Sequence, residues 1–464
     1  MPVACAPSDI RSAVTPRIHK DAVPRACRSA ATRPGRFYLT ADTKITMQSR
    51  INQTLLALIA VGLLFPLFIQ LSGGVYVNTA LVTDSSGVLS KLPLPISIVA
   101  AAAGVLFFLK NGRQAAPAIT FIAVLVAAML LSIVFASEAL DIESRKLLIA
   151  AQFLLPTMGL LLGQLVRDED NTIPKVFMWL LLVMVPLQLC IGWWQGTLTL
   201  THYLYVFSIY QHFQFVPVIF VAAFCLALAC LWEQHKTLLR VLVAVMGVYV
   251  MASASFLAIG LYVIFVPLFF LRKMSRLKLE RWAVFALLGA GILAAVGGAT
   301  LYYNIAKHNN NLIGDHGQYL GKFQTLAEGK MPVNIRERLG DWKMYGSWIT
   351  EGPRAFLFGH VSPPAREVRT SAHNWYLDFT YTFGLISMLP FLALIAYTAL
   401  LVGRLRASLP DEVLWCAGIV AFLVLIDSSF KVTLRQPYSG IFAFFLWGLL
   451  LSRLRSEASP RRGA

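Results

Sequence analysis

NIRERLGDWKMYGSWITEGPRAFLFGHVSPPAREVRTSAHNWYLDFTYTFGLIS, residues Asn334 to Ser387, is the only long polar interruption late in an otherwise apolar chain. It runs without a break into a hydrophobic helix that begins near Trp375. The chain has 464 residues, of which 57% are hydrophobic and 14% charged, and its mean hydropathy is +0.67. Soluble domains hold about 45–50% apolar residues, so this composition reads as an all-α polytopic membrane protein.

A membrane helix needs about 20 mostly apolar residues, each rising about 1.5 Å through a hydrocarbon core about 30 Å thick. On that criterion spans are expected near 52–71, 94–110, 116–136, 147–166, 173–193, 214–232, 237–252, 255–271 and 282–303. After the polar stretch come 375–402, 412–430 and 437–453, which makes about 12 transmembrane helices in all. The pair 237–271 is divided only by Ala252, Ser253, Ala254 and Ser255. Residues 1–46 are polar and basic and read as a disordered cytoplasmic leader. Met47 opens MQSRINQTLLALIAVGLLF and is an alternative start. Residues 47–303 then hold spans one to nine, 304–374 form one large loop, and 375–464 hold the last spans and a basic tail.

The formal net charge of +17 does not point to nucleic acid, because no soluble basic domain exists to carry such binding. Lys and Arg of membrane proteins collect in cytoplasmic loops. One alternate set of loops carries Lys110 and Arg113, Arg167, Lys236 and Arg240, Arg272 and Lys273, Arg404 and Arg406, then Arg453 and Arg455. The opposite short loops are nearly empty, so both termini are expected in the cytoplasm. Loop 304–374 then faces outward, as long loops do regardless of charge. Its Arg and Lys either serve solubility, offset by acids such as Asp341 and Glu367, or meet an anionic partner. The six cysteines form no CxxC pair and read as small apolar side chains.

His373 and Asn374 stand at the lip of the tenth expected span. An imidazole there is either an interfacial polar group or a base able to take a proton from a sugar hydroxyl, since it titrates near ambient pH. Asp378 and Asp427 fall inside expected spans, where a carboxylate is costly and defaults to a functional reading. Asp378 lies off the face of His373, so packing against another polar helix is favoured over orienting the imidazole. Lys431 follows Asp427 by four residues and pairs with it on one helix face in the plainer reading. Trp375, Tyr376 and Tyr381 fit an interfacial aromatic belt.

The stretch resembles the superfamily of O-antigen ligases, Wzy-type polymerases and protein O-oligosaccharyltransferases. Its pattern of His, a small amide or hydroxyl residue, nine residues and Gly is met by His373, Asn374 and Gly384, with Ser387 departing at the last position. Arg338 and Trp342 resemble the family's Arg-x-x-x-Trp, and Phe356 to Gly359 its turn, with Ala355 in place of proline. The resemblance implies about 12 spans in the bacterial inner membrane, cytoplasmic termini and a large periplasmic loop.

It implies a metal-independent, inverting glycosyl transfer with no cofactor. The donor would be a glycan on undecaprenyl diphosphate, and the acceptor another glycan or a lipid A core. Membrane lipid and a chain-length regulator are further implied partners. His373 would activate the acceptor hydroxyl and Arg338 would act beside it. The family's clamp arginines have no counterpart in GTLTLTHYLYVFSIYQHFQF or at Ala252 to Phe256. Arg338, Arg366, Arg369, Lys431 and Arg435 are the candidate replacements for binding the leaving diphosphate, because guanidinium suits oxyanions and stays charged. Asn374 and Trp342 join them as substrate-binding candidates, with Gly384 and Gly359 structural. The missing clamp favours a polymerase over a standard ligase, and the alternative is a polysaccharide export or flippase protein without catalysis.

Overall fold

The computed structural model describes residues 41–68, 96–136, 144–194, 215–253, 255–275, 328–331, 333–362 and 371–458. The expected ninth span, most of the leader, Arg366 and Arg369 lie outside them. The chain separates into two compact units, 1–49 and 50–464, and the second holds the helical bundle. No strand occurs among the described residues. The helices are α1 (Ala41–Leu64), α2 (Ile96–Phe108), α3 (Ala116–Ala136), α4 (Ser144–Leu154), α5 (Met158–Leu165), α6 (Thr172–Trp194) and α7 (Val216–Leu231). They continue with α8 (Lys236–Ser253), α9 (Phe256–Ser275), α10 (Val333–Ile349), α11 (Pro353–Phe358), α12 (Trp375–Leu405), α13 (Asp411–Ala421) and α14 (Pro437–Ala458).

Seven helical stretches among the described residues are long and apolar enough to cross a membrane, and Ile149–Leu165 and Val216–Leu231 are shorter apolar helices. The pattern of burial fits a lipid solvent. Leu58, Leu106, Val183, Val248 and Leu400 are all exposed on the outside of the bundle, while every residue of α7 is buried. A helix that is hydrophobic all round belongs in an interior. Beside it runs α14, whose Phe442, Phe444, Phe445 and Trp447 are buried.

Close backbone approach sets the centre of the bundle. A Cβ on Gly159 would stand 2.2 Å from the Ile441 carbonyl, one on Gly163 2.3 Å from that of Phe445, and one on Gly448 2.2 Å from that of Leu160. Small residues four apart let membrane helices meet backbone to backbone, where dispersion replaces the hydrophobic drive that lipid removes. The expected span 147–166 is not one continuous α-helix: a 3-10 turn, Leu155–Thr157, holds Pro156 between α4 and α5. Proline supplies no N–H to the ladder.

Side-chain bonds sort the loops into two ends. Arg167 Nε donates to Gln114 Oε1 at 3.2 Å, Arg455 to the Gln114 carbonyl at 2.5 Å, and Arg453 to Asn171 Oδ1 at 3.2 Å. Arg272 pairs with Asp411 at 2.5 Å, and Lys273 with Glu233 at 2.7 Å. Arg453 also reaches Cys230 Sγ at 3.8 Å, which ties the two groups into one basic end. Helices α2 and α3 both meet α5 here, since a Cβ on Gly104 would touch Leu162 and the Ala118 N–H bonds Gln164 Oε1 at 3.1 Å. Helices α8 and α9 also fold back on each other, since Tyr262 donates to the Val243 carbonyl at 2.7 Å. At its far end α3 meets α11, where Ser132 donates to the Phe358 carbonyl at 2.5 Å and Arg354 to that of Phe135 at 2.7 Å.

Candidate functional site at the mouth of helix α12

The start of α12 is built by its first residues. Asn374 is the N-cap, in extended conformation, and its Oδ1 accepts from the amides of Tyr376 and Leu377 at 3.0 and 3.2 Å. The Trp375 amide donates to the Lys431 carbonyl at 3.1 Å, and the Asp378 amide to the Asn374 carbonyl at 3.0 Å. The three N–H groups that no carbonyl of this helix can reach, those of Trp375, Tyr376 and Leu377, are therefore already used. An anion at this mouth must be held by side chains.

His373 precedes the cap with φ 51°, in the left-handed region, and its side chain is exposed. The turn that carries it is fixed by Asp378, one helical turn inside. The Asp378 carboxylate accepts from Ser371 Oγ at 2.6 Å and from the Ala372 amide at 2.7 Å. Ser371 Oγ in turn accepts from the His373 amide at 3.0 Å. Asp378 thus positions the backbone under His373 rather than its ring, a role beyond the helix packing expected from the sequence.

Arg435 is brought to the same carboxylate. Its Nη1 lies 3.9 Å from Asp378 Oδ2, while Nε and Nη2 donate to Gln152 Oε1 at 2.9 and 2.7 Å. Its guanidinium also lies over the Phe153 ring at 5.3 Å. Carboxylate, amide and aromatic face hold the cation in place without covering it, since about a quarter of the side chain (24%) remains accessible.

Helix α10 closes the other side. Trp342 Nε1 donates to the Ala372 carbonyl at 3.1 Å, and its ring lies 5.6 Å from Phe430. One turn earlier Arg338 Nη1 donates to the Phe430 carbonyl at 3.0 Å. Burial pulls the Arg338 guanidinium below its ordinary range, while Asp427 and Asp341 act in the opposite direction. Tyr345 and Trp348 pack their rings on Tyr381 at 5.3 and 5.7 Å, which seats α10 on α12.

Lys431 is turned inward. Its Nζ lies 3.3 Å from Asp427 Oδ1, with the two side chains 5% and 0% exposed. This is the plainer of the two sequence readings. Burial lowers the Lys431 ammonium from its ordinary value, opposed by Asp427. Thr433 donates to the second Asp427 oxygen. A π-helical turn, Phe422–Asp427, directs this aspartate inward, and such turns recur at functional sites.

The two motif glycines meet each other. Gly384 breaks α12 with φ 73° and ψ 175°, and Gly359 ends α11 with φ 76°. The break leaves the Tyr381 carbonyl to the His360 amide at 2.9 Å, and the His360 ring stacks on Tyr381 at 4.1 Å. Lys146, which is buried, donates to the His360 carbonyl at 2.9 Å.

Of the candidates named from sequence, His373, Asn374, Arg338, Trp342, Lys431 and Arg435 join one assembly around residues 371–378. Sequence reasoning missed Gln152, Ser371, Lys146 and His360. Gln152 carried a signal, an amide within an apolar run. Lys146 and His360 gave none, because their partners are distant in the chain, and Ser371, whose partners are near in the chain, matched no spacing pattern. Among the described residues no group of three or more His, Cys, Asp or Glu could hold a metal ion.

Asn374→Ala is expected to cost about 1 kcal/mol of stability, as cap losses do. It also frees two amides beside His373. Thermal unfolding in detergent checks the first effect. A variant as stable as the parent would show that the cap is not needed.

A scan of protein-family models finds none that matches this chain, and no curated protein matches it.

Proposed function

We propose that the protein is a membrane glycosyltransferase that joins polyprenyl-diphosphate-linked glycans at the outer face of a bacterial inner membrane, as a polymerase or ligase. The reading takes the chain to have about 12 spans, counting 282–303, with both termini and the basic end in the cytoplasm. The observation that carries it is an exposed residue, His373, whose main-chain amide is tied through Ser371 and Asp378 to a fixed guanidinium, Arg435. A second cation, Arg338, stands at the end of the same assembly.

In the proposed reaction the acceptor hydroxyl attacks the anomeric carbon of the donor sugar. His373 takes the hydroxyl proton. The bond from that carbon to the diphosphate oxygen breaks, and the polyprenyl diphosphate leaves with the bonding pair on the opposite side, which inverts the centre. Arg435 and Arg338 are assigned to the charge that gathers on the leaving oxygens, the place where fixed cations do most for the rate. With the N–H groups of Trp375, Tyr376 and Leu377 engaged, this task falls to side chains. An undecaprenyl carrier would lie against the exposed leucines, its diphosphate at the boundary.

Removing the protein from cells that make the surface polymer is expected to abolish long lipid-linked chains while single repeat units accumulate on the outer face. The lipid-linked pool, sized by gel and tested for access to an external glycosidase, gives the answer. Units trapped on the inner face would instead assign the protein to export. In a host that makes both polymers, loss of the lipid A cap alone would make it a ligase, and loss of a free polymer a polymerase.

A further inference from the structure

We infer that a cavity at the basic end of the bundle, opposite His373, holds the phosphate headgroup of an anionic phospholipid. The cavity has a volume of about 710 Å³ and is lined by Arg113, Arg167, Arg453 and Arg455, with an apolar wall from Tyr397 and Leu401. That size is within the range of pockets that take small ligands.

Three separate segments deliver the arginines: the 3-10 turn Leu109–Ala115, the link after α5 and the last turns of α14. Topology explains why basic residues lie at this end. It does not explain why four of them surround one hollow, nor why three are held by specific bonds. Arg167 and Arg455 bond the side chain and the carbonyl of Gln114, and Arg453 bonds Asn171. Among the described residues only two acids line the cavity, Asp168 and Glu169, so four cations outnumber them. Asp168 is already engaged, accepting the Thr172 and Ile173 amides at 2.6 and 2.9 Å.

The apolar wall decides between a soluble anion and a lipid. Tyr397 and Leu401 belong to α12, and Leu389 and Leu400, on the flank of that helix next to Tyr397, are exposed to the surroundings. From Leu401 back to Leu389 is about 18 Å of helix at 1.5 Å per residue, about the depth of one leaflet. A headgroup among the arginines would thus have an acyl chain lying along α12. Basic hollows between membrane helices are suited to this use.

The test titrates the purified full-length protein in detergent with phosphatidylglycerol, phosphatidylcholine and glycerol phosphate, reading bound lipid by native mass spectrometry. The parent is expected to bind phosphatidylglycerol in preference to phosphatidylcholine, and glycerol phosphate weakly. Arg113→Gln with Arg167→Gln is expected to weaken phosphatidylglycerol binding roughly thirty-fold, at about 1 kcal/mol for each arginine. If that pair does not fold, Arg113→Gln alone, at an exposed position, should weaken it about five-fold. Arg404→Gln with Arg406→Gln removes exposed charge at the same end without touching the cavity and should leave binding unchanged. Equal loss in that control would reduce the site to diffuse surface charge, and unchanged binding in the cavity variants would remove it. Glycerol phosphate binding as tightly as the lipid would make it a soluble-phosphate site. Each of these three results overturns the proposal, and none bears on the reaction proposed for His373.

Discussion

His373→Asn is expected to slow glycan transfer by about 10²–10⁴-fold, the usual contribution of a positioned general base, while the bundle remains folded. The choice of asparagine follows from the backbone. His373 has φ 51°, a conformation that asparagine tolerates better than most residues, and the exposed imidazole fills no core position. The Ser371 and Asp378 bonds involve the main chain beneath it, so they survive the change. An amide cannot accept the hydroxyl proton at neutral pH. The loss should therefore fall on kcat, with KM for the lipid-linked donor little changed. His373→Gly relieves the backbone strain and leaves room for added imidazole, which should restore part of the rate. Transfer within threefold of the parent in His373→Asn would end the assignment of His373 as base. Rescue of the glycine variant by imidazole separates lost chemistry from lost shape.

How far this site could be read from the chain depends on the distance between partners. The apolar runs were legible because 20-residue hydropathy is a local property, and the apolar helices described fall where those runs lie, whereas α10 and α11 lie in the stretch expected to be a loop. His373, Asn374 and Gly384 were legible as spacing. Their connection was not. Asp378 looked misplaced because it is off the imidazole's helical face, yet its bonds go to Ser371 and Ala372 before the helix begins. A helical wheel cannot represent a residue that reaches back over the cap. Gln152 and Arg435 meet across 283 residues of chain, a pairing that no local pattern encodes. Lys431 was the opposite case, four residues after Asp427 and paired with it. The basic residues of the other end illustrate a different limit. Their loops could be sorted to one side by charge, but only the fold shows that four arginines line one hollow.

Gly384→Ala is expected to be the most damaging single-methyl change in the bundle, costing about 2–6 kcal/mol when backbone strain and overpacking are taken together. Its φ of 73° and ψ of 175° belong to a region that only glycine occupies comfortably. A methyl there would stand 2.2 Å from the Leu357 carbonyl oxygen and 2.4 Å from the Phe358 nitrogen, backbone atoms that cannot swing aside. The reciprocal contact is as tight: a methyl on Gly359 would lie 2.6 Å from the Thr382 carbonyl. The two glycines therefore lock α11 onto the break in α12. Separating them would withdraw the His360 amide from the Tyr381 carbonyl and leave a buried acceptor unpaired. The first half of α12 carries His373, Asn374 and Asp378, so its angle to the rest of the helix sets where the imidazole stands. Lower stability should thus come with lost transfer activity. Gly403→Ala is the control in the same helix, since a methyl there meets nothing within 4 Å and alanine favours a helix by about 1 kcal/mol over glycine. Thermal unfolding should rank Gly403→Ala at or above the parent and both Gly359→Ala and Gly384→Ala well below it. Equal stability of the Gly384 and Gly403 variants would mean that the break in α12 is not required by the fold, and the positioning of His373 would need another cause.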